Sequence, residues 1–251
     1  MKNYDVVVVG QGVVGAAVAL GLHRQGLMVA IVDPCSPPSW SEDKHDNRVF
    51  AISPASMSLL NRLGVWSYIC AARVSPYNCM EVWDEGSVGA LSLSAADAKV
   101  PELGYIVENS LLCQALADSL EPLDRFRQAV KTISADSESD DGQISLADGQ
   151  RLGYKLLIGA DGANSFVRKA LDIQVQSRAY KQRGIVATVT TAREHRDTAW
   201  QRFLSTGPLA LLPLADGRSS IVWSAEEQLA DELMALSDDE FLRRLTVAAD
   251  G

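Results

Sequence analysis

The pattern of apolar and polar positions is clearest at the start of the chain. Residues 4–9 form an almost unbroken apolar run rich in valine, residues 16–20 continue with apolar side chains at helical spacing, and residues 28–32 are apolar again. A run without alternation is typical of a strand that is covered on both faces of a parallel sheet. The order therefore predicts a strand, a helix and a second parallel strand, which together form a βαβ unit.

The rest of the chain carries shorter periodic segments. The helical patterns predict helices from Pro54 to about Gly64, over residues 110–120 behind a capping Asn109, and over residues 226–245. The alternating patterns predict a hairpin from residues 79–84 and 91–93, and a three-stranded meander from residues 130–135, 143–146 and 151–158 with the acidic residues 136–142 at a solvated tip. Strands over residues 185–190, 210–214 and 219–224 predict a second, more antiparallel layer.

The turn between the first strand and the first helix holds a glycine motif. Gly10, Gly12 and Gly15 fit GxGxxG, in which the first glycine permits a tight turn, the second lets backbone approach a pyrophosphate and the third lets helix and strand pack closely. Asp33 ends the second strand, 23 positions after Gly10, near the spacing of about 20 at which an acidic side chain meets ribose hydroxyls. The carboxylate also disfavours NADP, because it repels a 2′-phosphate. The motif predicts a site for the ADP half of a dinucleotide, with an ordinary glycine turn as the alternative.

Composition limits the classes of partner. The chain has 251 residues with 47% hydrophobic content, enough for one large or two modest globular domains. The 23 Lys and Arg against 32 Asp and Glu give a net charge of −9, which argues against nucleic acid or an anionic membrane surface as a nonspecific partner. We expect a cytoplasmic protein without a transmembrane segment, because no leader precedes the first strand and no apolar run approaches roughly 18 residues.

The cysteines and histidines predict no metal site and no nucleophilic catalytic set. None of the four cysteines forms a CxxC pair, and the three histidines are scattered along the chain; these residues are Cys35, Cys70, Cys79, Cys113, His23, His45 and His195. We interpret the thiols as reduced cysteines in a reducing compartment. We place His45, the histidine nearest to a motif, on a solvated loop, and the catalytic residues stay unassigned.

A second motif follows the predicted meander. Residues 156–168 read Leu-Leu-Ile-Gly-Ala-Asp-Gly-Ala-Asn-Ser-Phe-Val-Arg, which predicts an apolar strand, an Asp161-Gly162 turn and a new helix. The Asp161 carboxylate can accept a hydrogen bond from a ribityl or ribose hydroxyl. Gly162 and the helix N-terminus can bring backbone N–H groups to phosphates. The alternative is a hairpin-type Asp-Gly turn, which the presence of the first motif makes a weaker explanation.

With these two motifs the chain resembles the group A flavoprotein monooxygenases, which hold FAD with a GxGxxG turn and an IGADGxxSxVR segment. Within that superfamily it resembles the ubiquinone biosynthesis hydroxylases over nearly its whole length, on residues 48–53, 63–66, 104–109 and 158–165. The resemblance implies an α/β fold: a Rossmann-like FAD-binding domain of the GR2 type with an inserted, mainly antiparallel β-sheet substrate domain. We expect the FAD-binding domain at residues 1–75 and 100–180, and the β-sheet layer at residues 76–99 and 181–251.

The resemblance also assigns cofactor contacts by position. It implies that the ADP moiety is served by Gly10, Gly12, Gly15 and Asp33, the phosphate or flavin side by Arg48, and the ribityl or pyrophosphate region by Asp161 and Gly162. Many relatives have glutamate where Asp33 stands. Relatives outside the ubiquinone branch often have arginine where Asn109 stands.

The implied activity is hydroxylation of the aromatic ring of a polyprenylated ubiquinone precursor. The resemblance implies that reduced FAD reacts with oxygen to form a C4a-hydroperoxide, that NAD(P)H supplies the electrons, and that the phenol or quinol substrate lies against the β-sheet layer. Members of this family continue past residue 251 through a third cofactor motif, GDAAH, and a helical region. We therefore interpret the chain as C-terminally truncated, and expect it to keep its fold, to bind FAD weakly or not at all, and to be inactive alone.

Two other interpretations stay open. One is a flavin-dependent reductase or dehydrogenase on the same scaffold, which inserts no oxygen atom. The other is a noncatalytic module that docks into a ubiquinone biosynthetic complex. A prenylated substrate is also compatible with peripheral contact at the inner membrane.

Overall fold

The computed structural model describes residues 1–86, 88–135 and 141–250. The strands are β1 (Lys2–Val9), β2 (Val29–Val32), β3 (Val49–Ile52), β4 (Ser75–Tyr77), β5 (Cys79–Asp84), β6 (Ala90–Ser94), β7 (Gly104–Glu108), β8 (Asp124–Phe126), β9 (Val130–Ala135), β10 (Gly142–Leu146), β11 (Arg151–Gly159), β12 (Gln182–Val189), β13 (Thr198–Leu204), β14 (Gly207–Pro213) and β15 (Ser219–Glu226). The helices are α1 (Val13–His23), α2 (Pro54–Arg62), α3 (Trp66–Ala72), α4 (Ala95–Ala98), α5 (Asn109–Ser119), α6 (Phe166–Ala170), α7 (Glu227–Met234) and α8 (Asp238–Ala249).

The chain divides into two compact units, each assembled from several segments. The first unit comprises Met1–Lys44, Leu59–Ile69 and Ser110–Gln176. The second unit comprises His45–Ser58, Cys70–Asn109 and Ser177–Gly251. The domain boundaries expected from the sequence stay a prediction.

The first unit is built on a six-stranded sheet of order β8-β2-β1-β11-β10-β9. Its strands β8, β2, β1 and β11 are parallel, and β10 and β9 extend it as an antiparallel meander. Val7, Ala30 and Val32 are fully buried in its core, as the continuous apolar runs predicted. Both the βαβ unit and the meander are therefore confirmed, while residues 136–140 of the acidic run lie outside the described residues.

The second unit contains a six-stranded sheet of order β12-β15-β14-β13-β5-β6 and a three-stranded sheet of order β3-β7-β4. In the larger sheet β13 pairs in parallel with β5, whereas the other described pairs are antiparallel. One face of this sheet packs against α7 and α8 through Leu209, Ile221 and Trp223, which meet Leu233 and Leu245. The predicted hairpin and antiparallel layer are confirmed.

The sequence did not predict strand β13. Its charged Arg202 lies on the face that α8 covers and donates hydrogen bonds to the carbonyls of Val247 and Ala248, so the strand lacks a purely apolar buried face. The single helix expected over residues 226–245 is wrong, because α7 ends at Met234 and Ser237 starts α8 by accepting from the Glu240 N–H. Serine followed by glutamate three residues later is a typical helix start.

Candidate cofactor site

The glycine turn of the first unit lies where β1, α1 and the end of β11 meet. A Cβ atom on Gly10 would lie 2.3 Å from the carbonyl oxygen of Ala160, and one on Gly15 would lie 2.0 Å from the carbonyl oxygen of Gly10. The Ala160 N–H also donates to the Val9 carbonyl at 2.7 Å. The backbone atoms come too close to leave room for a side chain at Gly10 or Gly15. The glycine turn therefore packs directly against Ala160, which belongs to the second sequence motif.

Gly12 has a different environment. Its φ is −69°, and a Cβ atom there would meet nothing within 4 Å. Gly12 caps α1 without any side-chain hydrogen bond, and the first intrahelical bond joins the Ala16 N–H to its carbonyl. The N–H groups of the first turn thus lack intrahelical acceptors and lie at the positive end of the helix dipole. Open space beside free donors fits a pyrophosphate.

The Asp33 carboxylate lies beside this turn at the end of β2. One oxygen accepts from the Gln11 N–H at 2.6 Å and the other from the Cys35 N–H at 2.8 Å. Each carboxylate oxygen has a second lone pair, so the oriented group can still accept from a ribose hydroxyl. Gln11 is 7% exposed, and its side-chain amide nitrogen has no hydrogen-bond partner among the described residues. A buried unsatisfied donor at the turn is a second feature that fits an acceptor-rich ligand.

Arg127, which sequence reasoning missed, fixes the loop that follows Asp33. Its guanidinium donates to the Cys35 carbonyl at 3.1 Å and to the Ser36 hydroxyl at 2.9 Å. Arg127 directly follows β8, the parallel neighbour of β2. The short β8 pattern did not predict a strand, and without that strand the sequence could not place Arg127 beside Asp33.

The Asp161 carboxylate holds the start of α6, whose N-cap residue is Ser165. This carboxylate accepts from the Ser165 hydroxyl at 2.5 Å and from the N–H groups of Phe166 and Val167 at 2.6 and 3.1 Å. Ser165 in turn accepts from the Arg168 N–H. The α6 donors that the sequence assigned to phosphates are therefore already paired within the chain.

These contacts shift the pKa of Asp161. Burial raises it, but the hydrogen bonds from the Ser165 hydroxyl and the backbone N–H groups outweigh burial and leave the pKa below its ordinary value. Gly162 next to it has a φ of 82°, in the left-handed region, and a Cβ atom there would meet open space. The Asp-Gly turn is thus a helix start rather than a hairpin.

We expect Asp161→Asn to lower the free energy of unfolding at neutral pH by about 1 kcal/mol, because neutral hydrogen bonds replace charge-assisted ones and one acceptor oxygen is lost. Since the folded pKa is lowered, the stabilisation is present above the ordinary carboxyl pKa and is lost as pH falls through the folded pKa. Denaturant unfolding at several pH values checks this. Asp148→Asn is the control, because Asp148 is exposed and its carboxylate accepts from the Gln150 N–H of its own turn. A loss that stays constant into acid would contradict the assigned cause.

Arg48 lies in the second unit. Its N–H donates to the Asp46 carboxylate at 3.0 Å, and its carbonyl accepts from the Asn109 N–H at 2.9 Å. The Asp46 N–H donates to Glu108 at 2.6 Å. Glu108 is 4% exposed and pairs with Arg73 at 2.6 Å. A buried ion pair therefore fixes the backbone that carries the Arg48 guanidinium.

His45 is not on a solvated loop, contrary to the sequence interpretation. Its ring is only 15% exposed, with Nε2 3.2 Å from the Asp216 carboxylate and Nδ1 2.9 Å from the Arg218 guanidinium. Asp216 and Arg218 are far away in sequence, and no local pattern links them to His45. The contact anchors the start of the segment that leads to Arg48.

Other kinds of site find no support in the described part of the chain. Across residues 1–86, 88–135 and 141–250, no group of three or more His, Cys, Asp or Glu side chains could hold a metal ion. Within the same residues, no helix has the length and apolar character to cross a membrane. The four cysteines are free.

Comparison with known proteins agrees with this geometry. The chain is 40% identical over 257 residues to the ubiquinone biosynthesis monooxygenase COQ6 of Xenopus tropicalis, covering 95% of this chain and 55% of that protein. It is 40% identical over 222 residues to the 3-demethoxyubiquinol 3-hydroxylase of Escherichia coli K12, covering 87% of this chain and 56% of that protein. The chain thus spans about half the length of the curated relatives it matches.

The fold also has a solved counterpart. The structure of Pseudomonas aeruginosa PqsL in complex with 2-aminobenzoylacetate matches with a TM-score of 0.79 at 25% identity, over 98% of this chain and 67% of that one. The α/β fold with a Rossmann-like FAD-binding domain and a mainly antiparallel sheet is therefore confirmed. The family model described as an FAD binding domain matches residues 3–250, and the chain belongs to this family of FAD-binding proteins.

Proposed function

We propose that the chain is part of an FAD-dependent monooxygenase that hydroxylates the aromatic ring of a polyprenylated ubiquinone precursor. The observation that carries the proposal is the open N-terminal end of α1 beside the oriented Asp33 carboxylate, because this pair fits the pyrophosphate and ribose of an ADP moiety. The reaction class is supported by the two relatives that are named as ubiquinone pathway enzymes.

The proposed contacts divide by part of the cofactor. The first turn of α1 and Gly12 bind the pyrophosphate, and Asp33 accepts from the ribose hydroxyls. Gly10 and Gly15 keep the turn against Ala160, while Asp161 and Gly162 shape the backbone near the ribityl or pyrophosphate region. Arg48 serves the phosphate or flavin side. FAD, when bound, supplies the oxygen chemistry with electrons from NAD(P)H, and the protein groups orient the ring and exclude water.

The proposed substrate is an uncharged phenol or quinol with a prenyl tail, bound by the sheets of the second unit. Such a tail partitions into lipid, so we propose that the enzyme works as a peripheral protein at the cytoplasmic face of the inner membrane, within a biosynthetic complex. The net charge of −9 of this chain makes nonspecific attraction of its surface to anionic lipid unfavourable. The substrate tail, rather than surface charge, then accounts for membrane contact.

Deleting the gene that encodes the chain tests the function. We expect cells to lose ubiquinone and to accumulate a prenylated precursor that lacks one ring oxygen, measured by mass spectrometry of lipid extracts. Restoring the gene under ¹⁸O₂ should place the label at that ring position. A restored product without label would favour the reductase or dehydrogenase alternative, and unchanged ubiquinone after deletion would contradict the proposal.

A Gly12→Val copy of the gene separates catalysis from docking. An enzyme that needs FAD at this turn should not restore ubiquinone with this copy. Restoration by Gly12→Val at wild-type protein levels would instead support the noncatalytic docking module.

A further inference from the structure

In the second unit, the face of the six-stranded sheet opposite α7 and α8 carries a continuous row of side chains. In β13, Arg202 points to the helix-covered face, where it bonds to α8. Because side chains alternate along a strand, the adjacent Gln201 points to the opposite face. The strand registers pair Gln201 with Val82 on one side and with Ala210 on the other, and they continue the row to the two edges of the sheet. We call this the central row, and it consists of Leu91, Val82, Gln201, Ala210, Val222 and Val186.

The central row is apolar except at one position. Its two ends are exposed, Leu91 by 57% and Val186 by 43%, and its four inner members are half-buried. Six strands at about 4.8 Å spacing make the row about 24 Å long. None of its members carries a charge. A long, partly exposed apolar row suits an extended hydrocarbon chain better than water.

Gln201 interrupts this row near its middle. Its side chain has no hydrogen-bond partner among the described residues, whereas the Asp33 and Asp161 carboxylates of the first unit accept from backbone N–H groups. An amide offers two donors and one acceptor, and apolar neighbours on both sides limit its hydration. A ligand with an oxygen atom next to a hydrocarbon chain would match this order of apolar, polar and apolar side chains along the central row.

We propose that Gln201 determines substrate specificity by hydrogen bonding to a ring oxygen of the prenylated phenol, while the apolar members of the central row contact its tail. The inference rests on the proposed function and deepens it. The site selects a neutral phenol over a benzoate, because the row contains no cation to pair with a carboxylate. It also selects a ring with an oxygen substituent over a bare ring, because only the oxygen satisfies the amide.

The test measures binding of two matched probes to the 251-residue chain by equilibrium dialysis. The probes are a phenol with a three-isoprene tail and the prenylbenzene with the same tail. For wild type we expect the phenol to bind more tightly than the prenylbenzene, and a 4-hydroxybenzoate with the same tail to bind far more weakly than the phenol. Gln201→Leu should weaken phenol binding about tenfold, the loss expected for one buried hydrogen bond, and leave prenylbenzene binding unchanged or tighter.

Two controls keep the result specific. Gln143→Leu makes the same change on β10 of the first unit and should alter neither affinity. Gln201→Met, with a flexible side chain of similar length, should repeat the Gln201→Leu result if that variant unfolds. Equal phenol affinity in wild type and Gln201→Leu would overturn the role of Gln201, and so would a wild-type chain that binds neither prenylated probe. Loss of ubiquinone on gene deletion would leave the proposed function standing in both cases.

Discussion

A Gly10→Ala variant is expected to lose about 3 kcal/mol of stability or more, the upper range for forcing an extra methyl group into packed structure. The added Cβ atom would lie 2.3 Å from the Ala160 oxygen and 2.8 Å from the Asp161 nitrogen, and neither backbone atom can rotate away. The φ of Gly10 is 107°, which adds strain for any residue with a side chain. Because β1 and β11 lie at the centre of their sheet, relief would require separating two core strands.

Thermal and denaturant unfolding measure this loss. Gly149→Ala is the matched control, because Gly149 has a φ of 89° but a Cβ atom there would meet nothing within 4 Å. We expect Gly149→Ala to lower the free energy of unfolding by about 1 kcal/mol, because it introduces the backbone strain without the steric clash. Similar losses for both variants would show that Gly10 does not hold the two motifs together by close packing.

Unlike Gly10→Ala, Gly12→Val is expected to change the stability little and to lower the affinity for FAD about 100-fold. Valine can adopt the backbone angles of Gly12, whose φ is −69°, and it would enter open space. We therefore expect the free energy of unfolding to change by less than about 1 kcal/mol. The two γ-methyl groups would fill the space above the α1 donors, and losing charge-assisted bonds to a pyrophosphate accounts for the affinity loss.

Quenching of FAD fluorescence by each variant measures the affinity. Gly184→Val is the control, since a Cβ atom on Gly184 in β12 also meets nothing within 4 Å. This variant should bind FAD as wild type does. An unchanged FAD affinity for Gly12→Val would place the pyrophosphate elsewhere.

The sequence predicted those parts of the fold whose elements follow one another directly along the chain. The run ending at Val9, the glycine turn and the return to Asp33 are consecutive, so their spacing alone predicted the strand, helix and strand of the βαβ unit. The same holds for Pro54 at the first position of α2. Here residue type, periodicity and position in the chain all favoured one structure.

The remaining features depend on contacts between distant segments. His45 meets Arg218 across 173 positions and Arg127 meets Ser36 across 91, and no periodic pattern encodes such pairs. The sequence did not predict strand β13 because the charged Arg202 interrupts the apolar face that α8 covers. The α8 carbonyls that satisfy this arginine are distant in sequence. The ligand-binding role of Asp161 stays a prediction, and the sequence did not predict the hydrogen bonds by which its carboxylate holds the start of α6.

The central claim is that the first unit binds the ADP half of FAD at the α1 terminus beside Asp33. Calorimetric titration of the chain with ADP, in the absence and presence of FAD, tests it most directly. We expect wild type to bind one ADP, which competes with weakly bound FAD, Gly12→Val to bind neither measurably, and adenosine 2′,5′-bisphosphate to compete poorly because the Asp33 carboxylate repels its 2′-phosphate. FAD binding that ADP does not displace, or equal ADP binding by wild type and Gly12→Val, would contradict the account.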